Sequence, residues 1–488
     1  MPTTGPGDGV AATAAGPTIA AQALESGQRR VLLWLCALSS LTYLDRVCFG
    51  VAAPLLSVEL DLTSSAQLKW AFTAFAIAYA VFEIPSGWLG DTLGPRRALL
   101  RIVAWWSVFT AATGLVGYKV AGLTLGGLGT LFVVRFLFGA GEAGAYPNIT
   151  RAVHNWFPAE RWPTAQGYVW MSGRLTGGLT PLIWAALVTG TAWTEALTTW
   201  RGAFVGFGLL GLAWCAGFAL YFHDSPRNDP RWRDDPSLPA NVPEPAARHG
   251  FPGRWLLQNR SLWALSAMYL CINYGWYFHI TYLPLFLRER FDLGNDRLLG
   301  SIYLGGPLLV GAAGCFCGGK LAYGLTRRFG NGRRVRIAIG IAGQTVCALC
   351  WLVAMIAPNA HVFCLAISLS AFANDLTMAS AWATCQDIGG RYAAVTAATM
   401  NTIGTFGAVA AGWLTGTIVE YALSSRATRL DVAVSALSAT ELHEATLAGY
   451  YQSLFTFAAA CALAAAFWAL TGWSLSKATR IARRDVID

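Results

Sequence analysis

Apolar runs long enough to cross a bilayer recur about twelve times along this chain, and that repetition constrains its fold more than any other feature. A helical span needs roughly 20 mostly apolar residues. Such runs lie near residues 30–57, 68–90, 97–117, 127–153, 163–190 and 201–222, then near 257–287, 298–325, 334–357, 361–386, 393–422 and 448–475. Composition agrees, with 55% of the 488 residues hydrophobic and 12% charged, against about 25% charged in a typical soluble domain. Between the sixth and seventh runs lies the longest polar stretch, His223 to Arg254. Its prolines and charges forbid a span and argue against a packed domain. The expectation is an all-α membrane protein of about twelve transmembrane helices. Two pseudo-symmetric six-helix bundles, 29–222 and 257–476, are joined by a linker at 223–256, with polar tails at 1–28 and 477–488.

Charge placement orients the chain. Arg96, Arg97 and Arg101 follow the second run, Arg151 and Arg161 the fourth, and Arg327, Arg328, Arg333 and Arg334 the eighth. More arginines fill the linker, and Lys477, Arg480, Arg483 and Arg484 close the chain. The positive-inside rule therefore puts both termini and the linker in the cytoplasm. That placement also accounts for the net charge of +9 without invoking nucleic acid. The connector after the seventh run (Arg288, Glu289, Arg290, Asp292) is mixed and orients the second half less decisively. The first 28 residues, rich in Ala, Gly and Thr, have no basic start before an apolar core, so they read as a disordered cytoplasmic tail, not a signal peptide. Most of the 11 cysteines sit inside apolar runs as small hydrophobes and show no metal-ligand spacing.

Ionisable residues at membrane depth point to function. Asp45 and Arg46 lie near the middle of the first run, where a charge costs at least about 2.5 kcal/mol even on a lenient insertion scale. Arg135 and Glu142 form a second pair in the fourth run. Seven residues apart, they share nearly one helix face but sit about 10.5 Å apart along the axis, long for a direct salt bridge. Arginine offers a planar fork that matches a carboxylate bidentately. A glutamate in an apolar cavity is suited to carry a proton, because desolvation disfavours its charged form. The competing reading is a structural polar network in which Asp45 and Arg46 bridge the first and fourth helices.

The turn after the second run reads Gly87-x3-Asp91-x2-Gly94-x-Arg96-Arg97. Glycines permit a tight turn and close helix approach, and the acid can accept backbone N–H groups or pair with arginine. An ordinary positive-inside turn would not need the acid and the glycines. The turn after the eighth run, from Gly319 to Arg334, is similarly rich in Gly and Arg, as expected of internal repeats in secondary transporters.

The loop motif resembles the loop 2–3 signature of the major facilitator superfamily, although Thr92 stands where that family often has a basic residue. Tyr43-Leu44-Asp45-Arg46, the segments Arg135 to Asn148 and Trp156 to Arg161, Trp200 to Phe204, Thr281 to Leu287, and Asp387 to Arg391 followed by Met400-Asn401 look like the anion:cation symporter family. That group includes bacterial permeases for sugar acids and aromatic acids, and the sialin and vesicular glutamate carriers. The resemblance covers nearly the whole transmembrane chain. It implies the two-bundle fold, proton sites at Asp45 and Glu142, and anion recognition or charge coupling at Arg46 and Arg135. Asn401 resembles the family asparagine that contacts substrate.

Further cavity candidates come from the residues themselves. Arg174 is another cation at membrane depth, and Tyr43 and Tyr79 stand beside the charged helices. Tyr269 and Asn273, with Trp276 and Tyr277, recur at helical spacing in the seventh run; the aromatics could equally face lipid. Glu83 is read as gating or structural, and Asn374 and Asp375 as cavity groups or interhelical hydrogen-bonding partners. Gly87, Asp91, Gly94, Arg96 and Arg97 are read as a conformational switch.

No catalytic triad, phosphate loop or ATP-binding domain is present in the sequence, so no enzyme activity and no cofactor are expected. The expected function is uptake of an organic anion, a sugar acid or other carboxylate, by proton symport across the cell membrane, from a monomer. Uniport, antiport or sodium coupling on the same fold, and a non-transporting sensor, are the alternatives.

Overall fold

Helices laid over the apolar runs build the protein, as seen in a computed structural model that describes residues 19–60, 68–120, 123–124, 126–190, 195–232, 250–291 and 297–484. The first bundle comprises α1 (Ile19–Glu59), α2 (Lys69–Leu93), α3 (Pro95–Thr113), α4 (Leu128–Glu142), α5 (Ala145–Trp156), α6 (Trp162–Trp184) and α7 (Trp200–Tyr221). The second comprises a short α8 (Gly253–Gln258), then α9 (Arg260–Thr281), α10 (Leu283–Phe291), α11 (Arg297–Phe329), α12 (Gly332–Met355), α13 (Ala360–Gly389), α14 (Ala393–Leu430) and α15 (Ala439–Arg484). Lys119–Val120 and Leu123–Thr124 form a two-residue antiparallel ladder in the turn after α3. Among the described residues, counting the broken pairs α4–α5 and α9–α10 as one span each and leaving aside the six-residue α8 gives the expected twelve.

The ends differ from the hydropathy boundaries. Helix α1 starts at Ile19, so residues 19–28 continue the first helix instead of forming tail. Residues 1–18 lie outside the described residues. At the other terminus α15 runs on to Arg484, past the expected bundle end at 476. Hydropathy marks the slab a helix crosses, whereas backbone hydrogen bonding carries the helix on into polar surroundings. Within the linker, residues 233–249 lie outside the description. Its first residues fold back on the first bundle: the Asn155 side chain and the Trp156 indole donate to the carbonyls of Asp224 and His223 at 2.9 and 2.8 Å. The Trp232 ring lies against Gly27, leaving no room there for a Cβ.

The fourth span is broken just after Glu142. Gly144 adopts φ +87°, a left-handed conformation that glycine enters without steric cost, and a Cβ there would lie 2.5 Å from Ser86 Cβ. Glu142 thereby becomes the last residue of α4.

Two seams of small residues join the bundles. A Cβ on Gly87 of α2 would sit 2.7 Å from Ala398 Cβ and 2.9 Å from the Ala394 carbonyl of α14. A Cβ on Gly319 of α11 would sit 2.7 Å from the Pro163 carbonyl, and Gly167 of α6 faces the Cys315 carbonyl as closely. Gly87 and Gly319 hold matching places in the two halves, so the weak repeat in the sequence corresponds to a pseudo-symmetric pair of contacts. Small residues let helix backbones approach where no hydrophobic driving force separates helix from lipid.

Candidate functional site

Four ionisable side chains gather inside the first bundle. Arg46 of α1 donates from Nε to Glu142 Oε1 at 2.7 Å, closing a pair in which the glutamate is buried and the arginine side chain is 29% exposed. Asp45, the preceding residue, is buried and accepts from the Thr110 hydroxyl of α3 at 3.3 Å. Arg135 is buried one face away, its guanidinium 4.1 Å from the Phe49 ring, 4.4 Å from Phe138 and 5.2 Å from Phe75. The Arg46 guanidinium lies 5.6 Å from Phe75 and 4.7 Å from Tyr79. Both guanidiniums therefore stand near the Phe75 ring, and aromatic faces attract cations. Glu142 lies with Arg46 rather than Arg135, as the axial separation of Arg135 and Glu142 suggests.

This cluster is incompletely satisfied. Among the described residues Arg46 Nη2, Arg135 Nε and Glu142 Oε2 are buried without a hydrogen-bond partner. A buried guanidinium N–H left unpaired is costly, and its natural complement is a planar oxyanion.

A second set of contacts joins the bundles at mid-depth. Arg174 of α6 donates from Nε and Nη2 to the two Asp375 oxygens of α13, at 2.9 and 3.2 Å, and from Nη1 to the Tyr43 hydroxyl at 2.8 Å. Its guanidinium lies 3.7 Å from the Trp276 ring. Arg174, read from sequence as a cation at membrane depth and a cavity candidate, is engaged across the interface in this conformation. Gly173 and Gly177 leave the space that the Tyr43 ring fills. Asn401 of α14 donates to Glu83 at 2.6 Å and to the Tyr79 hydroxyl at 3.4 Å, and the Thr402 hydroxyl donates to Glu83 at 3.1 Å. Glu83 is the hub of this second bridge.

Beneath these polar bridges runs an aromatic layer. Tyr146 stacks on Trp170 with centroids 4.2 Å apart, and Trp382 of α13 meets Trp170 at 5.1 Å. The Trp382 indole donates to the Tyr269 hydroxyl at 3.2 Å. Asn273, half-buried one turn along α9, donates to the Tyr269 carbonyl at 2.8 Å. Tyr277 is 37% exposed, so the inward face of α9 is Tyr269, Asn273 and Trp276. Tyr146, Trp170 and Trp382 are partners that the one-dimensional reading missed. Aromatics in apolar runs are common, and only the packing shows that these three meet.

At the linker-side face the bundles close on each other. Asp91 accepts the backbone N–H groups of Ala394 and Val395 at 3.0 and 2.9 Å, capping the first turn of α14, where an anion is favoured by the free N–H groups and the helix dipole. Arg151, 3.7 Å from Asp91, donates to the carbonyls of Gly390 and Arg391 at 3.1 and 2.9 Å. Gln386 of α13 returns a bond to the Thr150 carbonyl at 2.8 Å. Gly94 adopts φ +86° against the Asp224 carboxylate, which accepts the Arg96 N–H at 2.7 Å. Burial pushes the Asp224 carboxyl up from its ordinary value, opposed by that N–H and by the charges of Arg96 and Arg97. Gly87 and Asp91 therefore sit where the bundles meet, and Gly94 and Arg96 where the turn is anchored on Asp224, with the charge of Arg97 acting on the same carboxylate.

Among the described residues no three His, Cys, Asp or Glu side chains gather as a metal site. The chemistry on offer is recognition and charge exchange: two guanidiniums, two carboxyl groups and an aromatic wall.

Comparison with known proteins agrees with this architecture. The Major Facilitator Superfamily profile matches residues 35–412. A probable sulfoacetate transporter of Cupriavidus necator is 33% identical over 380 residues, covering 75% of this chain and 82% of that relative. The hexuronate transporter of Bacillus subtilis is 26% identical over 363 residues, covering 73% and 80%. The solved structure of a proton:xylose symporter bound to 6-bromo-6-deoxy-D-glucose superposes with a TM-score of 0.65 at 14% identity, covering 91% of this chain and 95% of that one; at that identity the likeness shows the fold alone. The chain belongs to the Major Facilitator Superfamily and is a multi-pass membrane transporter, not an enzyme.

Proposed function

We propose that this transporter imports a small organic anion by proton symport, with the linker face toward the cytoplasm and the two bundles rocking about the central site. The observation that carries this reading is the Arg46–Glu142 pair, 2.7 Å long and open on the arginine side, beside buried Arg135 with its unpaired Nε. With Asp45 and Glu142 both ionised, the four groups sum to no net charge and Arg46 is held by its own carboxylate. A proton taken up by Glu142 removes that competitor, leaves the cluster positive, and turns the Arg46 donors toward an incoming oxyanion. Asp45 completes the site as the second proton carrier. Tyr43, Tyr79, Tyr269, Asn273 and Asn401 supply hydroxyl, amide and ring contacts for the remainder of the ligand.

Relatives named for sulfoacetate and hexuronate support an organic anion as cargo. Hydrogen bonds across the interface run from mid-depth to the linker face, which suits a conformation closed toward the cytoplasm. Arg174 would join the ligand only after releasing Asp375.

Binding class is tested by thermal stabilisation of the purified protein with sulfoacetate, hexuronates, aromatic carboxylates, phosphate and organic cations. A ligand at a hundred times its dissociation constant adds about 2.7 kcal/mol of apparent stability. Stabilisation by one class of organic anion is the expected result. Stabilisation by cations alone would overturn the assignment.

A further inference from the structure

On the linker-side end of the molecule, away from the central site, a cleft of about 570 Å³ opens between α1, the start of α6 and α11. Its charged lining is Arg29, Arg161 and Lys320 against the single carboxylate Glu25. That carboxylate is already used, since Arg161 donates to Glu25 at 2.6 Å. Arg29 and Lys320 are both exposed, and neither has an ion-pair partner among the described residues. Lys320 Nζ stands 5.4 Å above the Tyr168 ring and 5.8 Å from Phe316.

The lining changes character along the helix axis. Toward the bilayer centre, one turn or more beyond Arg29 on α1, the cleft is floored by Leu32, Leu33 and Cys36, and Leu33 is 68% exposed. On α11, Phe316 lies one turn deeper than Lys320, just beyond the cleft lining and against its Tyr168 with ring centroids 5.5 Å apart, and is also exposed. Cations thus sit at the ends of the spans, at headgroup depth, above an apolar wall that faces acyl chains. A soluble anion would use only the upper part of this surface, whereas a molecule with an anionic head and an apolar tail matches all of it.

The cleft also straddles the two bundles. Arg29 and Arg161 come from the first bundle and Lys320 from the second, beside the seam where the Thr164 hydroxyl donates to the Gly319 carbonyl at 3.2 Å. A ligand held by both sides would favour the conformation in which this seam is shut.

We propose that this cleft binds the headgroup and upper acyl chain of an anionic phospholipid, and that the bound lipid ties the two bundles together at the linker face. Arg29 and Lys320 hold the phosphate, and Leu33 and Phe316 line the chain. The proposal concerns a site separate from the transported anion and does not depend on which solute is carried.

The test uses the full chain in detergent, titrated with phosphatidylglycerol, phosphatidylcholine and sn-glycerol 3-phosphate, with the melting temperature and the lipid retained in native mass spectrometry as readouts. Phosphatidylglycerol is expected to raise the melting temperature and remain bound, and the other two to do neither. The variant Arg29→Gln with Lys320→Gln changes only exposed side chains, so its lipid-free melting temperature should match the parent. At about fivefold per basic residue near an anionic headgroup, its affinity for phosphatidylglycerol should fall about 25-fold. An equal response to phosphatidylcholine, an unchanged affinity in the variant, or a glycerol phosphate response as large as that of the lipid would each overturn the proposal. A photoactivatable phosphatidylglycerol supplies an independent readout. Labelling concentrated on α1 near Leu33 and α11 near Phe316 supports the site, and labelling spread evenly over the lipid-facing helices contradicts it.

Discussion

Arg135→Ala is expected to remove anion binding almost completely while leaving the protein folded. The guanidinium is buried among Phe49, Phe75 and Phe138, and its Nε has no partner among the described residues. Its hydrogen-bonding capacity is therefore available to a ligand in a site from which water is largely excluded. Truncating one side of a desolvated, charge-assisted contact costs about 2–5 kcal/mol, which at 1.4 kcal/mol per decade is a loss of roughly thirty- to several-thousand-fold in affinity. Arg135→Lys separates charge from geometry, since lysine keeps the cation but not the planar fork, and its affinity should fall between parent and Ala variant. Ligand-induced stabilisation measures both. An Ala variant that binds as tightly as the parent would remove Arg135 from the anion site.

The second large effect belongs to the bridge between the bundles. Asp375→Ala is expected to destabilise the protein by about 3–5 kcal/mol, because it strands a buried guanidinium. Arg174 and Asp375 are both buried and joined by two hydrogen bonds, so little solvent is at hand to compensate. Replacing both partners by apolar residues, Arg174→Met with Asp375→Leu, should recover most of that loss, since a well-packed apolar pair often matches a buried ion pair. A double-mutant cycle of Arg174→Met, Asp375→Leu and the two combined, read on unfolding free energy, isolates the coupling. If the losses of the two single variants simply add, the pair contributes no coupling in the folded protein. The Tyr43 hydroxyl and the Trp276 ring also lean on Arg174, so part of the effect of an Arg174 variant reflects their lost contacts.

Much of this architecture is legible in one dimension because the bilayer imposes a single length on every span. Among the described residues the roughly twelve apolar runs correspond to helical spans, and the Gly- and Arg-rich turns fall in matching places in the two halves. Helix ends are less legible. Apolar content stops near residue 422 while α14 continues to Leu430, because nothing in the backbone requires a helix to stop at the headgroups. The break at Gly144 is also hidden. The glycines of α6 at Gly173 and Gly177 look similar in sequence but make room for a ring within an unbroken helix.

Pairing is the least legible level. Asp45, Arg46, Arg135 and Glu142 stand out because charge at membrane depth is expensive, yet the partnership of Arg46 with Glu142 spans 96 residues of sequence. Arg174 and Asp375 are 201 residues apart, and Glu83 and Asn401 are 318 apart. Both are links between bundles, so neither helix carries a periodic signal that names its partner. The loop motif around Asp91 is intermediate. Its residue types signal a special turn, but the N–H groups that Asp91 accepts belong to the start of α14, some three hundred positions later.

In the proposed mechanism Glu142 exchanges Arg46 for a proton and so couples anion entry to the proton gradient. The direct measurement is uptake of a binding organic anion into proteoliposomes under an imposed inward proton gradient, for the parent and for Glu142→Gln. The parent should accumulate the anion above its external concentration and cease to do so when the gradient is collapsed. Glu142→Gln should exchange labelled for unlabelled anion yet fail to accumulate it. Accumulation in Glu142→Gln that still follows the proton gradient, or parent uptake that follows a sodium gradient instead, would rule out proton coupling through Glu142.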